Sequence, residues 1–289
     1  MSFKPQKALH LYKDLELKTP KSPDYMYIVT EKLDGWYGYL DFGPEINDQI
    51  RSRAGRVIPA LTDLSQSIYD STRQFPKGGR LIFEIYTPHV PFHIQNGIYN
   101  KKYEQATMCS LKVHDFIPDD IDIQASMRKT VAEGIVNKMN NPRVEFIEPL
   151  GLVKGSELMP LAESIWSEGG EGIIGVRHDS YYSAGKRNAD LIKVKKEVQL
   201  DLLVTGIYRG EVGSKYEDTL GGLIVINKAG VTNRLSGMSD AQRDDWFNEP
   251  SQIVGKVVEV DAMEVLEDGK LREGRFKWVR HDKGKADID

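Results

Sequence analysis

An α+β fold in two parts is predicted for this chain, and three features predict it. Short strand-like segments rich in β-branched and aromatic residues dominate the sequence. Between them lie a few stretches with apolar residues at helical spacing. After Lys193–Lys196 the texture changes to four or five short strands and one acidic helix within about 90 residues, a pattern that suits a small β-barrel of the OB-fold type. The boundary is placed near Val198, giving parts 1–197 and 198–289.

In the first part, Tyr27–Thr30, Gly35–Phe42, Arg80–Tyr86 and Leu111–Phe116 read as strands bounded by Gly, Pro or Asp. Met127, Val131, Ile135 and Met139 put one apolar residue on each helical turn. A second helix runs through Leu158, Leu161, Ala162 and Ile165 and is stopped by Gly169 and Gly170. In the second part the strands are Leu202–Tyr208, Leu223–Asn227, Val257–Val265 and Arg275–Val279, with the helix near Asp240–Phe247.

Composition narrows the class. Hydrophobic residues at 40% and charged residues at 28% are ordinary for a globular protein, and no apolar run is long enough for a membrane span. The segment MSFKPQKALHLYKDLELK scatters charge where a secretory signal needs an apolar stretch, so an intracellular, cytoplasmic protein is expected. A single cysteine, Cys109, rules out an internal disulfide and a cysteine-built zinc site.

The net charge of −4 hides a segregation along the chain. Arg177, Lys186, Arg187, Lys193, Lys195 and Lys196 crowd into one short stretch against Asp179 and Asp190. Lys270, Arg272, Arg275, Lys277, Arg280, Lys283 and Lys285 crowd into another against Glu273 and Asp282. Local basic faces of this kind bind phosphate even on an acidic chain, although most such runs are solvated surface.

One segment carries nucleophile chemistry. In Glu31-Lys32-Leu33-Asp34-Gly35 a lysine follows a strand, and the glycine permits a tight turn that would hold the amine at a pocket mouth. A nucleophilic lysine must shed its proton, whose ordinary pKa is about 10.4, and nearby cations favour that loss. Lys193 and Lys195, two apart on a strand, share one face and would supply both that effect and phosphate contacts.

Further motifs follow in order: Ser52-Arg53-Ala54-Gly55-Arg56, Phe83-Glu84-Ile85-Tyr86, Val113-His114-Asp115-Phe116 and Glu171-Gly172-Ile173-Ile174-Gly175. Lys193-Val194-Lys195 comes next, then Arg272-Glu273-Gly274-Arg275-Phe276 with Arg280-His281-Asp282-Lys283. Over residues 28–283 this series resembles the motifs of the ATP-dependent DNA ligases, closest to the compact phage and viral members. The resemblance implies a nucleotidyltransferase (adenylation) domain with antiparallel sheets and flanking helices, followed by the OB-fold barrel.

It also implies roles. Lys32 would take AMP from ATP as a phosphoramidate, and Glu31 would join the nucleotide contacts. Glu84 would bind the ribose hydroxyls, Arg53 phosphate or the nick, and His114 would stack on adenine. Glu171 and Glu84 would hold Mg2+, for which Mn2+ substitutes, since magnesium prefers hard oxygen ligands. Lys193 and Lys195 would hold the α-phosphate. Arg272, Arg280 and Lys283 would orient the departing pyrophosphate, the second domain swinging on a hinge near Glu197–Leu200. The partner would be nicked duplex DNA, bound in a salt-sensitive way by a monomer with no membrane contact. Segments Thr87–Lys102 and Gly210–Gly221 are read as loops serving nick affinity.

The chain departs from the family where Trp36 and Tyr37 replace an arginine common shortly after the lysine motif, where His114 replaces a more usual aromatic, and where Gly274 replaces a proline. Rival readings are an RNA ligase, an mRNA-capping guanylyltransferase and a catalytically silent OB-type DNA-binding protein. A satisfied core histidine at 114, a paired structural carboxylate at 84 and an exposed basic strand at 272–283 are the bland counterparts.

Overall fold

The computed structural model describes residues 3–11, 25–42, 49–72 and 78–289, so part of the N-terminal segment read for a secretory signal lies outside the described residues. Two compact units divide the chain at Lys195/Lys196, close to the boundary read from the sequence. No helix among the described residues is long and apolar enough to cross a membrane.

The first unit runs β1 (Lys7–His10), β2 (Met26–Glu31), β3 (Trp36–Phe42), β4 (Arg51–Ser52), α1 (Thr62–Thr72), β5 (Gly79–Tyr86), α2 (Phe92–Tyr99), β6 (Ser110–Pro118), α3 (Ala125–Met139), β7 (Val144–Phe146), β8 (Gly151–Lys154), α4 (Leu158–Ser167), β9 (Gly172–Arg177) and β10 (Arg187–Lys195). Its strands form two five-stranded sheets. One has the order β1-β10-β9-β2-β8, the other β4-β3-β5-β6-β7. Pairing is antiparallel except for β1 with β10 and β6 with β7.

Strand alternation sends one face of each sheet inward. Tyr27, Val29, Ile173, Ile192 and Val194 of the first sheet pack with Leu158 and Ala162 of α4. Leu81, Phe83, Ile85, Leu111 and Val113 of the second pack with Leu64 and Ile68 of α1 and with Ala132, Ile135 and Met139 of α3. Helix α4 follows its predicted stripe and ends where Gly169 takes φ +88, with Gly170 N–H returning to the Ile165 carbonyl at 2.9 Å. In α3 the buried stripe is Ala125, Arg128, Lys129, Ala132, Ile135, Val136 and Met139. Met127, assigned to that stripe by the sequence, is 57% exposed, because two charged residues occupy the inward positions instead.

The second unit contains β11 (Val198–Arg209), β12 (Leu220–Ile226), β13 (Thr232–Leu235), α5 (Asp240–Asn248), β14 (Val257–Ala262), β15 (Glu264–Val265), β16 (Leu271–Arg272) and β17 (Arg275–Val279). Five of its strands make a sheet in the order β13-β12-β11-β14-β17. Long β11 is shared, its first half pairing with β14 and its second with β12, and it bends at a register shift between Val204 and Gly206. The segment read as one strand over Val257–Val265 breaks at Met263, after which β15 and β16 form a separate hairpin. The expected closed barrel is not formed by continuous ladders among the described residues; the edges β13 and β17 meet through a single bridge, Ser236 to Arg275. Leu202, Val204, Leu223, Val225, Leu235, Val258, Val260 and Phe276 line the core, and α5 adds Trp246. That helix starts at a capping box in which Ser239 and Gln242 bond each other's backbone N–H.

Candidate active site

The lysine segment crosses from one sheet to the other. Lys32 leaves β2 of the first sheet, and four residues later Trp36 begins β3 of the second. Lys32 N–H extends the sheet by bonding the Gly172 carbonyl at 2.9 Å, and its Nζ donates to Glu171 Oε1 at 2.5 Å. Both side chains are largely buried, at 21% and 14% exposed. Trp166 Nε1 donates to the Glu171 carbonyl at 3.1 Å and fixes the carboxylate's backbone.

Two glycines make this approach possible. A Cβ on Gly172, which takes φ +142, would lie 2.0 Å from the Val194 carbonyl oxygen. A Cβ on Gly35 would lie 2.4 Å from the Ile85 carbonyl oxygen and 2.8 Å from Glu84 Cγ. Gly35 is absent from the positive-φ glycines, so room against β5, rather than a special turn conformation, is what it supplies. The group bonded to the Lys32 amine is a carboxylate, a partner that the lysine segment by itself did not indicate.

Glu84 lies on β5 directly across from Tyr37 of β3 and Lys112 of β6. Burial pushes its carboxyl up to about 8; the Lys32 ammonium pulls the other way, the Glu171 charge adds to the rise, and Arg53 again opposes it. Lys32, Glu171 and Arg53 thus all act electrostatically on Glu84 at the sheet junction. Among the described residues no cluster of three or more His, Cys, Asp or Glu side chains could hold a metal ion. The Glu171 carboxylate, with Glu84 when that is ionised, matches magnesium held jointly with nucleotide phosphates, the usual arrangement for that ion.

His114 is the extra residue of a β-bulge. Val113 pairs with Phe83 and Asp115 with Ile82, so two steps on β6 match one on β5. The bulge reverses the inward phase of the strand and buries Asp115 and Phe116 in succession. Asp115 then receives Arg128 Nε at 3.0 and 3.2 Å, and Lys129 Nζ donates to the His114 carbonyl at 2.7 Å. Burial, with the Lys129 charge, pulls the His114 imidazole down to about 4, so the ring is neutral at pH 7. It lies beside the Tyr37 ring, centroids 6.3 Å apart. Arg53 covers the same tyrosine at 5.0 Å and donates to the Gln6 carbonyl at 3.3 Å.

Lys193 and Lys195 alternate on β10 with buried Ile192 and Val194, and Lys195 pairs with Gly172, next to Glu171. Glu31 is exposed at the end of β2 and paired with Ile173. The first unit therefore gathers Lys32, Glu84, Glu171, Arg53 and His114 around the sheet junction, with Lys193 and Lys195 on the adjoining strand.

Arg272, Arg280 and Lys283 belong to the second unit and are engaged there by carboxylates. Arg272 faces Glu264 at 3.6 Å. Arg280 bonds Asp201, Asp282 and Glu259 at 3.0, 2.7 and 3.4 Å, and Lys283 bonds Asp201. Next to the substituted proline position, Glu273 carries φ +53, whereas Gly274 is close-packed against Leu235 and Leu271.

Several residues around the site were not anticipated. Arg128 and Lys129 fall three and four places after Ala125 on the buried face, a position that apolar periodicity does not mark because both are charged. Gln6 and Tyr182, joined by Gln6 N–H to the Tyr182 hydroxyl at 2.9 Å, carry no local signal. Gln95 lies in Thr87–Lys102, which was read as a loop but holds helix α2.

A scan against protein-family models gave no match, and a search of curated proteins gave none either. Solved structures do match. A structure described as Pmar-Lig_PreS3 aligns over 96% of this chain and 68% of its own, with TM-score 0.74 and 20% identity. A structure from a study of Lig E DNA ligases aligns over 97% of this chain and 100% of its own, with TM-score 0.72 and 22% identity. The chain has the fold of the ATP-dependent DNA ligases. The ATP-dependent DNA ligase from bacteriophage T7, in complex with ATP, also aligns over 96% of this chain and 98% of its own, with TM-score 0.57 and 22% identity.

Proposed function

We propose that this protein is an ATP-dependent DNA ligase that seals nicks bearing a 5′-phosphate and a 3′-hydroxyl. The observation that carries the reading is Lys32 at the crossing between two sheets, bonded to Glu171 and facing Glu84. In the first step Lys32 Nζ attacks the α-phosphorus of ATP. An N–P bond forms, the α–β phosphoanhydride breaks, pyrophosphate leaves, and the amine's proton passes to Glu171, its hydrogen-bond acceptor. Glu84, protonated near neutral pH, is suited to hydrogen-bond the ribose diol. Lys193 and Lys195 supply positive charge to the α-phosphate as it crowds. Glu171 would hold magnesium, with Glu84 joining it only in the ionised form, and the ion would offset phosphate charge when bound.

The 5′-phosphate of the nick then attacks the lysyl adenylate, breaking the N–P bond and leaving AMP joined to DNA by an anhydride. The 3′-hydroxyl attacks that activated phosphate, and AMP departs. Neutral His114 offers an uncharged face to the adenine, and Arg53 a cation for phosphate. Arg272, Arg280 and Lys283 would act on the pyrophosphate, exchanging their carboxylate partners for it. A hinge would fall at Lys196–Glu197, because Val198–Leu200, counted in it from the sequence, are already paired in β11. A monomer acting in the cytoplasm suffices for this cycle.

Incubation with magnesium and α-labelled ATP or GTP, beside Lys32→Ala, tests the reading. A labelled protein band from ATP that is lost in the variant, followed by sealing of nicked DNA, is the expected result. A band from GTP alone moves the protein to cap formation. No band, from protein first treated with pyrophosphate, leaves a DNA-binding protein without ligase chemistry.

A further inference from the structure

Helix α2 lies immediately after the strand that carries Glu84, and its Gln95 is 1% exposed. Every hydrogen-bonding position of that buried amide is used. Nε2 donates to the Asp34 carbonyl at 3.0 Å and to the Val90 carbonyl at 2.8 Å. Oε1 accepts the Thr87 N–H at 3.2 Å and the Tyr99 hydroxyl at 3.0 Å. An amide oxygen cannot donate, so Tyr99 spends its one proton on Gln95, and Thr87 Oγ1, 2.7 Å from the Tyr99 oxygen, must be the donor in that contact. The orientation of the amide is thereby fixed.

The partners belong to the two segments that chemistry must hold together. Asp34 is two residues beyond Lys32, and Thr87 is three beyond Glu84. The bonds to Thr87 and Val90 also span His89, which takes a left-handed φ of +59 that the surrounding contacts must enforce. Tyr99, one turn further along α2, packs edge-on against Trp36 at 5.6 Å, just past the lysine loop. Helix α2 thus grips residues 34–36 by one amide bond and one aromatic contact.

We infer that Gln95 is a positioning residue for nucleotidyl transfer, holding the Lys32 loop at a fixed distance from the Glu84 strand. The inference rests on the proposed adenylation, and it assigns a role to Trp36, one of the residues by which this chain departs from the family pattern. Gln95→Met has similar reach but cannot donate, and Gln95→Glu, ionised, has no donor for either carbonyl. Displacement of a reacting group by about 1 Å costs rates on the order of 100-fold.

Single-turnover labelling of Lys32 at a series of ATP concentrations, with hydrogen exchange over residues 33–36, tests it. Gln95→Met should slow labelling at saturating ATP by roughly 10- to 100-fold, with half-saturation changed less than about threefold, and should speed exchange in that segment. Tyr99→Phe keeps both Nε2 donors and should lose less than about fivefold. A folded Gln95→Met protein that labels at the wild-type rate, or a lower melting temperature with full rate per folded molecule, overturns the assignment. If the wild type itself does not label, the ligase reading fails, and unchanged exchange over 33–36 in Gln95→Met would remove the tether as well.

Discussion

Glu84 sits on a β-strand between apolar neighbours, and its carboxyl holds its proton up to about pH 8 because burial outweighs the pull of the Lys32 ammonium. An unfolded chain would ionise the same group near its ordinary value of about 4.3. The folded state therefore binds more protons between those values, and stability falls as pH rises from about 4 to about 8. Glu84→Gln removes the titration. Its melting temperature should drop less than that of the wild type between pH 5.5 and pH 9, a relative gain of a few kcal/mol at the alkaline end. An equal drop in both proteins would mean that Glu84 is ionised throughout. The residue type was legible in the sequence, as was its place on a strand. Its protonation was not, since that depends on Glu171, distant in the chain, and on the depth of the junction.

At the scale of elements, the bulge in β6 and helix α3 form one device. The extra residue, His114, reverses the strand's phase, so that Phe116 joins Leu111 and Val113 in the core and Asp115, opposite Ile82, is buried where it would be an uncompensated charge without Arg128. Arg128 is 2% exposed and also bonds the carbonyls of Ile123 and Ser180, so the helix, the bulge and the turn after β9 are locked together. Arg128→Met should destabilise the protein by about 3–5 kcal/mol, as measured by denaturant unfolding, because a buried carboxylate is left unpaired. Adding Asp115→Asn should restore much of the loss while keeping the acceptor for Phe116 N–H. A double variant no more stable than the single one would show that Arg128 acts by packing alone. Periodicity located α3 and placed Val131, Ile135 and Met139 against the core, but it took in exposed Met127 and left out Arg128 and Lys129 because they are charged. Only the sheet opposite, with its inward Asp115, makes a charged helix face the buried one.

At the scale of the molecule, charge segregated along the chain is not segregated in space. In the second unit the basic run meets carboxylates from other strands: Lys277 bonds Asp261, and Arg280 and Lys283 both bond Asp201. Asp201 N–H also bonds the side chain of Asp289, whose own N–H returns to the Asp201 carbonyl. These bonds and the core around Trp246 and Phe276 all lie within Lys196–Asp289. The fragment Lys196–Asp289 should therefore fold alone, with a strand-rich circular dichroism spectrum and a cooperative melt. A fragment that stays unfolded would show that its core needs the first unit.

By itself the sequence determined the α+β class, most of the regular elements, the change of texture near Val198 and the identity of the chemical groups, because strand alternation, helix stops and reactive side chains are local properties. Tertiary structure alone decided that Lys32 bonds Glu171, that Gly35 serves for room rather than for a turn, and that Thr87–Lys102 contains a helix whose buried glutamine holds the lysine loop. Each of these depends on which strands lie side by side and how far each carboxyl is removed from water, and both arise from contacts between residues far apart in the chain.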